Sequence, residues 1–219
     1  MNKLRYSAIG CALPLMIFVF VSMLGDINSP LFAKGKIQSG HTDLDCASCH
    51  QEAPGSYRQQ IQANVRYILG WRPEPVHFGF EEVSSDQCMD CHERPNERHP
   101  VYRFKEPRFA DALKQIDASS CLGCHSEHED RRAHDRIDFC GACHEDLRLK
   151  NDPLDIPHHE IIADKAWDTC LGCHDFHGNH VRKAQILFED RHAEAALRDY
   201  LANGPSPYGD QRHFEAKKP

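Results

Sequence analysis

The pattern Cys-x-x-Cys-His occurs five times in this chain of 219 residues. The copies are Cys46-Ala-Ser-Cys49-His50, Cys88-Met-Asp-Cys91-His92, Cys121-Leu-Gly-Cys124-His125, Cys140-Gly-Ala-Cys143-His144 and Cys170-Leu-Gly-Cys173-His174. From 11 Cys and 16 His, chance would place roughly 0.04 copies of the pattern in such a chain. It is the pattern of covalent haem attachment. Each cysteine pair can form two thioether bonds to the vinyl groups of a haem, and the adjoining histidine is then placed to bind the iron. The predicted cofactors are therefore five haems c, with His50, His92, His125, His144 and His174 as proximal ligands. Two other chemistries use paired cysteines. Zinc sites combine them with histidine but need no histidine directly after the second cysteine, and disulfides in an exported chain need no fixed spacing at all. Histidine stands in that place in all five copies, which favours haem.

This reading sets the fold class. The chain is 27% charged and 9% aromatic, and beyond its N-terminal segment it has few long apolar runs from which to build a core. A chain of this length normally buries a sizeable one. Five porphyrins would supply the missing apolar surface. The prediction is a mainly α and irregular fold, with small helices and loops wrapped around five haems behind an N-terminal transmembrane or signal helix.

Residues 1–33 are predicted to be that N-terminal element. Tyr6 to Gly25 carry no charge, Lys3 and Arg5 precede them, and Asp26 follows. Twenty helical residues span about 30 Å, the thickness of a bilayer core. The charge order puts the N-terminus in the cytoplasm and the rest outside. The competing reading is a signal peptide cut after Ala33, although Leu31 stands where a small residue belongs. Both readings deliver the chain to the periplasmic side, anchored to the inner membrane or soluble. Cys11 sits early in the apolar run and reads as an inert apolar cysteine.

Residues 34–180 form the predicted pentahaem domain. Its motifs fall between residues 46 and 174, a density that leaves no room for a separate globular domain. Ser56-x-x-Gln59 has the form of a capping box, with Ile61, Val65, Ile68 and Leu69 on one helical face and Gly70 and Pro73 as the stop. Phe109, Ala112, Leu113 and Ile116 predict a second short helix after Pro107. A C-terminal helix is predicted over 181–202, ended by Gly204-Pro205, within a segment 181–204. The tail 205–219 is polar and contains proline, so disorder is expected there. No strand pattern stands out.

The sixth ligand of each iron decides the chemistry. Methionine would raise the potential, but past the N-terminal segment the only one is Met89, enclosed within a motif. Eleven histidines remain for five positions: His41, His77, His99, His128, His134, His158, His159, His177, His180, His192 and His213. Bis-histidine ligation follows for most haems. The distal candidates are His41, His77, His99, His128, His159 and His177, with His158 an alternative to His159. His128 and His177 each lie three residues after a motif histidine, too close to reach the far face of the same haem, so each is expected to bind a neighbouring one. His213 is expected to bind none.

The segments CLGCHSEH and CLGCHDFHGNH resemble those of the multihaem cytochromes c, in particular the cytochrome c3/c7-like group with doubled CXXCH motifs. The resemblance covers residues 41 to 180. It implies a haem-organised fold of short helices and a role in respiratory electron transfer. An N-terminal apolar segment ahead of several haems is also similar, in part, to the membrane-anchored NapC/NrfH quinol dehydrogenases, which have four haems.

The chain carries 26 Lys plus Arg against 33 Asp plus Glu, a net charge of −7. Nucleic-acid binding is not expected, and a redox partner with a basic docking face is favoured. The expected function is electron transfer at the periplasmic face, between a membrane quinol-linked complex and a periplasmic acceptor. No catalytic residue is assigned. The alternatives are a multihaem reductase of a small nitrogen or sulfur compound, which needs one haem with an open axial position, and an electron-wire subunit of a larger complex.

Overall fold

The computed structural model describes residues 35–95 and 97–218, together with 10, 12–14, 16 and 17. The chain divides into a unit ending at Lys34 and a unit from Gly35 to Pro219, and the second is described below. The predicted N-terminal membrane or signal helix falls mostly outside the described residues. Among those described, no helix is long and apolar enough to cross a membrane.

The fold is helical and irregular. Seven short α-helices can be followed: α1 Tyr57–Ile68, α2 Ser85–His92, α3 Val101–Phe104, α4 Gly141–His144, α5 His158–Ala163, α6 Cys170–Cys173 and α7 Glu194–Leu201. Seven 3-10 turns lie between and before them. In place of strands the described residues hold two isolated bridges, Glu52 with Phe80 and His180 with Arg212.

Local sequence chemistry explains where the longer helices start and stop. The Ser56 hydroxyl accepts from the Gln59 backbone N–H and the Gln59 side chain caps Ser56 in return, the reciprocal box read in the sequence. Gly70 takes φ +73° just past the end, a left-handed conformation that glycine adopts without strain. A second box, Ser84 with Gln87, starts α2 and so positions the second motif. The helix expected through 109–116 is instead two 3-10 turns, Pro107–Phe109 and Ala112–Lys114. A stretch of about eight residues is too short for its weak periodicity to hold a helix by itself.

The C-terminal third departs most from expectation. Of the predicted 181–202 helix only Glu194–Leu201 is α-helical, with a 3-10 turn at Phe188–Asp190 before it. Backbone bonds to other segments hold the stretch before it: Val181 N–H donates to Gln211 O at 2.9 Å, and His192 N–H to Gly172 O at 2.9 Å. The tail is ordered by the same means. His213 N–H reaches Asn179 O, Lys217 N–H reaches Cys91 O, and Tyr208 is buried with its hydroxyl donating to Leu171 O at 2.7 Å. One aromatic residue inserted into a cluster outweighs the polar composition of its neighbours.

That cluster comprises Ile137, Leu171, Leu197 and Tyr208, with Phe139, Phe176, Tyr200 and Leu201 packed against it. It is small. Eight apolar residues of the described chain are buried. Leu197 is 2% exposed, so Leu197→Ala is expected to cost about 2–5 kcal/mol. A lower guanidinium midpoint of the holoprotein, followed by far-UV circular dichroism, measures it.

Candidate metal centres

Each of the five motifs folds as a turn of helix. The backbone N–H groups of His50, His125, His144 and His174 donate to the carbonyls of Cys46, Cys121, Cys140 and Cys170 at 2.8–3.0 Å, and the second motif lies within α2. A four-residue repeat of this kind puts the two cysteines, three apart, on one side of the turn with the histidine one residue on. None of the ten motif cysteines is in a disulfide. Gly123 permits the third turn to form, since a Cβ there would sit 1.8 Å from Asp117 O.

The motifs also meet one another. The Cys88 and Cys121 side chains lie near each other, and their interaction pushes the Cys88 thiol up and the Cys121 thiol down. Ser85 Oγ accepts from Cys121 N–H at 3.0 Å and fixes this approach. The fourth and fifth motifs meet as well: a Cβ at Gly141 would sit 2.6 Å from Trp167, three residues before Cys170, and the interaction of Cys140 with Cys170 raises the first thiol and lowers the second. Groups attached at the second and third motifs would therefore be neighbours, as would groups attached at the fourth and fifth.

The histidines form a regular set. His50 faces His128, His92 faces His41, His125 faces His177, His144 faces His99 and His174 faces His158, with ring centroids 5.8–6.2 Å apart. Imidazole binds a first-row metal at about 2.0–2.1 Å, so two bonds plus the two ring radii put trans ligands about 6 Å apart, centroid to centroid. Each of the five motif histidines thus has one partner at the distance that a shared metal requires. The partners come from 30 or more residues away in four of the five pairs, all but His158 with His174.

A second set of contacts orients the partner rings. Nδ1 of His177 donates to Glu97 Oε1 at 2.7 Å, that of His158 to Asp152 Oδ1 at 2.8 Å, that of His99 to the Phe176 carbonyl at 2.7 Å, and that of His41 to Glu127 Oε2. Ionised carboxylates and carbonyls only accept, so the proton sits on Nδ1 and the Nε2 lone pair is free for a metal. This is the outer shell that metal-bound histidines have. His125 makes the same kind of bond to Arg132 O at 2.7 Å. His128 Nδ1 is buried with no hydrogen-bond partner. Burial lowers the pKa of His92, His99, His125 and His174, favouring the neutral form that ligates. Burial pushes the Asp152 carboxyl up, but bonds from the His158 backbone and ring hold it below the usual carboxylate range.

Four distal candidates, His41, His99, His128 and His177, lie in these pairs. The other two do not. His158 rather than His159 meets His174, and His159 lines a cavity of about 570 Å³ beside the fourth motif, with Phe139, Gly141, Ala142 and Trp167. His77 is exposed, and no paired ring is recorded for it among the described residues. The choice between 158 and 159 follows from Asp152, which caps the start of α5 through the His158 N–H at 2.6 Å and holds the ring of the same residue. His180 is a satisfied core histidine, its Nδ1 donating to Asp175 Oδ2 at 2.9 Å and its Nε2 bonded to Ser206 Oγ at 3.1 Å. Sequence reasoning missed Glu97, Glu127, Asp152 and Phe176. Only Asp152, six residues before His158 and followed by Pro153, left a local sign.

The donor set tells which metal group fits. A protein-held zinc takes three or four side-chain ligands, and among the described residues no group of three or more His, Cys, Asp or Glu is placed to hold an ion. A haem brings four equatorial nitrogens of its own and asks the protein for two axial ones, which is what each histidine pair offers. The scarcity of buried apolar side chains fits the same group. No family model, no curated protein and no solved structure matches the chain.

Proposed function

We propose that the chain is a pentahaem c-type cytochrome, of the multihaem kind that the cytochrome c3/c7 group represents, and that it carries electrons. The observation behind this reading is that each of the five attachment motifs has a second histidine 5.8–6.2 Å from its own. When bound, each haem would supply a one-electron iron couple, held at low potential by two imidazoles. The cysteines tether, the motif histidine and its partner clamp, and Glu97, Glu127, Asp152 and the Phe176 carbonyl keep the clamping rings aimed. Phe176 also stacks on His99 at 4.3 Å and meets His177 edge to face at 5.1 Å, linking the outer ligands of the fourth and third centres. With a second histidine beside every motif histidine, no haem bound there would be left open to a substrate, which supports a carrier over a reductase.

The proposed setting is the periplasmic face of a bacterial inner membrane, reached through the apolar segment Tyr6–Gly25 as anchor or as cleaved leader. The proposed partners are a quinol-linked membrane complex and a periplasmic acceptor, bound weakly through faces complementary to the net charge of −7. Mass spectrometry of the denatured native protein tests the reading. It is expected to exceed the mass of the polypeptide by five haems, and four or fewer would break the assignment of one haem to each motif.

A further inference from the structure

The five histidine pairs differ in what holds their rings from behind. Three outer rings donate Nδ1–H to a carboxylate: His41 to Glu127, His177 to Glu97 and His158 to Asp152. His99 donates to a neutral group, the Phe176 carbonyl, and the buried Nδ1 of His128 has no partner among the described residues. Of the motif histidines, His125 alone is held in this way among the described residues, by the Arg132 carbonyl at 2.7 Å. The third pair, His125 with His177, is therefore braced on both rings.

Glu97 is itself fixed on two sides. Oε1 accepts from the His177 ring at 2.7 Å, and Arg94 Nε lies 3.0 Å from Oε2, an ion pair without the alignment of a hydrogen bond. The guanidinium thus sits on the far oxygen and leaves the near one on the ring. The Glu97 side chain is 8% exposed, and a group bound beside it could only bury it further.

A carboxylate behind an imidazole makes the opposite ring nitrogen a stronger base. A more basic ligand favours the iron state of greater positive charge, so hydrogen bonds to axial ligands are one of the protein's levers on potential. Burial strengthens the effect, because a charge is less screened away from water. We propose that Glu97 makes the third centre the lowest in potential of the five. This rests on the cytochrome reading above. It also gives the third centre a place in the set: its motif meets the second motif through Cys88 and Cys121, and Phe176 lies between its outer ligand and that of the fourth. Electrons would settle to either side of it and cross it uphill.

Potentiometric titration of the full-length holoprotein, fitted as five one-electron steps with added reductant as the electron source, tests this. Glu97→Gln keeps the shape and removes the charge, and a charged acceptor makes a bond roughly twice as strong as a neutral one. The lowest of the five steps is expected to rise by about tenfold in its equilibrium constant, which is about 59 mV for one electron. Glu127→Gln removes the same charge elsewhere and should move a different step. A shift under about twofold, a fall, or movement of a step other than the lowest would overturn the proposal. Paramagnetic nuclear magnetic resonance of the unaltered protein gives a second arm that needs no variant. The haem methyl signals in contact with Leu122, between Cys121 and Cys124, should be the last of the five sets to lose their ferric shifts, and an earlier loss would overturn it too. Mass and spin state are read on the same samples. Five low-spin haems with the third not lowest would sink this proposal alone, whereas fewer than five haems would sink the cytochrome reading and this with it.

Discussion

Replacing His158 with alanine is expected to convert about one-fifth of the iron from low to high spin, while the same change at His159 leaves every iron low-spin. The two residues are adjacent in sequence and identical in chemistry, yet His158 meets the His174 ring at 6.0 Å and has its Nδ1 proton held by Asp152, whereas His159 lines a cavity. Removing a clamping imidazole opens one axial position without touching the thioethers, so the mass should still show five haems. Electron paramagnetic resonance and the high-spin charge-transfer band measure the outcome. His128→Ala and His177→Ala should each behave like His158→Ala, and His77→Ala should be silent. A native protein that already shows one stoichiometric high-spin iron would turn the reading toward a reductase with its site at that iron.

Withholding haem is expected to have the largest effect on the fold. Chain made without covalent haem attachment should lack a cooperative thermal transition and most of its far-UV helical signal. The physical reason is the size of the core. Eight buried apolar residues in the described chain cannot offset the conformational entropy of ordering so many residues. The α-helices are no help, since most are shorter than the length at which a helix is even marginal alone; α3, α4 and α6 have four residues each. The Ile137, Leu171, Leu197 and Tyr208 cluster would hold at most the segments around α6 and α7. An apo-chain that melts cooperatively with native helix content would show that the polypeptide carries its own core, and would remove the haems from the structural argument.

Much of the local structure was legible in the residues. The Ser56–Gln59 box fixed the start of α1, and Gly70 its end, because caps and left-handed glycines act over three or four residues. The CXXCH motifs announced their own geometry for the same reason. The tail and the segment 181–193 were misread because their order comes from backbone bonds to Gly172, Asn179, Gln211 and Cys91, which no periodicity reports. The apolar positions of α1 were read as one face, and Gln60 and Asn64 lie on that same side of the helix. Gln60 and Asn64 turn inward because irregular loops at 53–55 and 76–79 offer them backbone groups that need partners.

By itself the sequence determined that there are five CXXCH motifs, which ten cysteines and five histidines make them, and that eleven further histidines, with Met89 inside a motif, stand beyond the N-terminal segment. These follow from contiguous chemistry, since a motif brings its own residues together whatever the rest of the chain does. The tertiary structure alone decided which histidine faces which. Pairs such as His41 with His92 and His125 with His177 join segments far apart in the chain, and the carboxylates that aim His41 and His177, Glu127 and Glu97, lie 80 or more residues from the rings they hold. A ligand pair is a distance in space, and the distance is set by how loops cross rather than by any spacing along the chain.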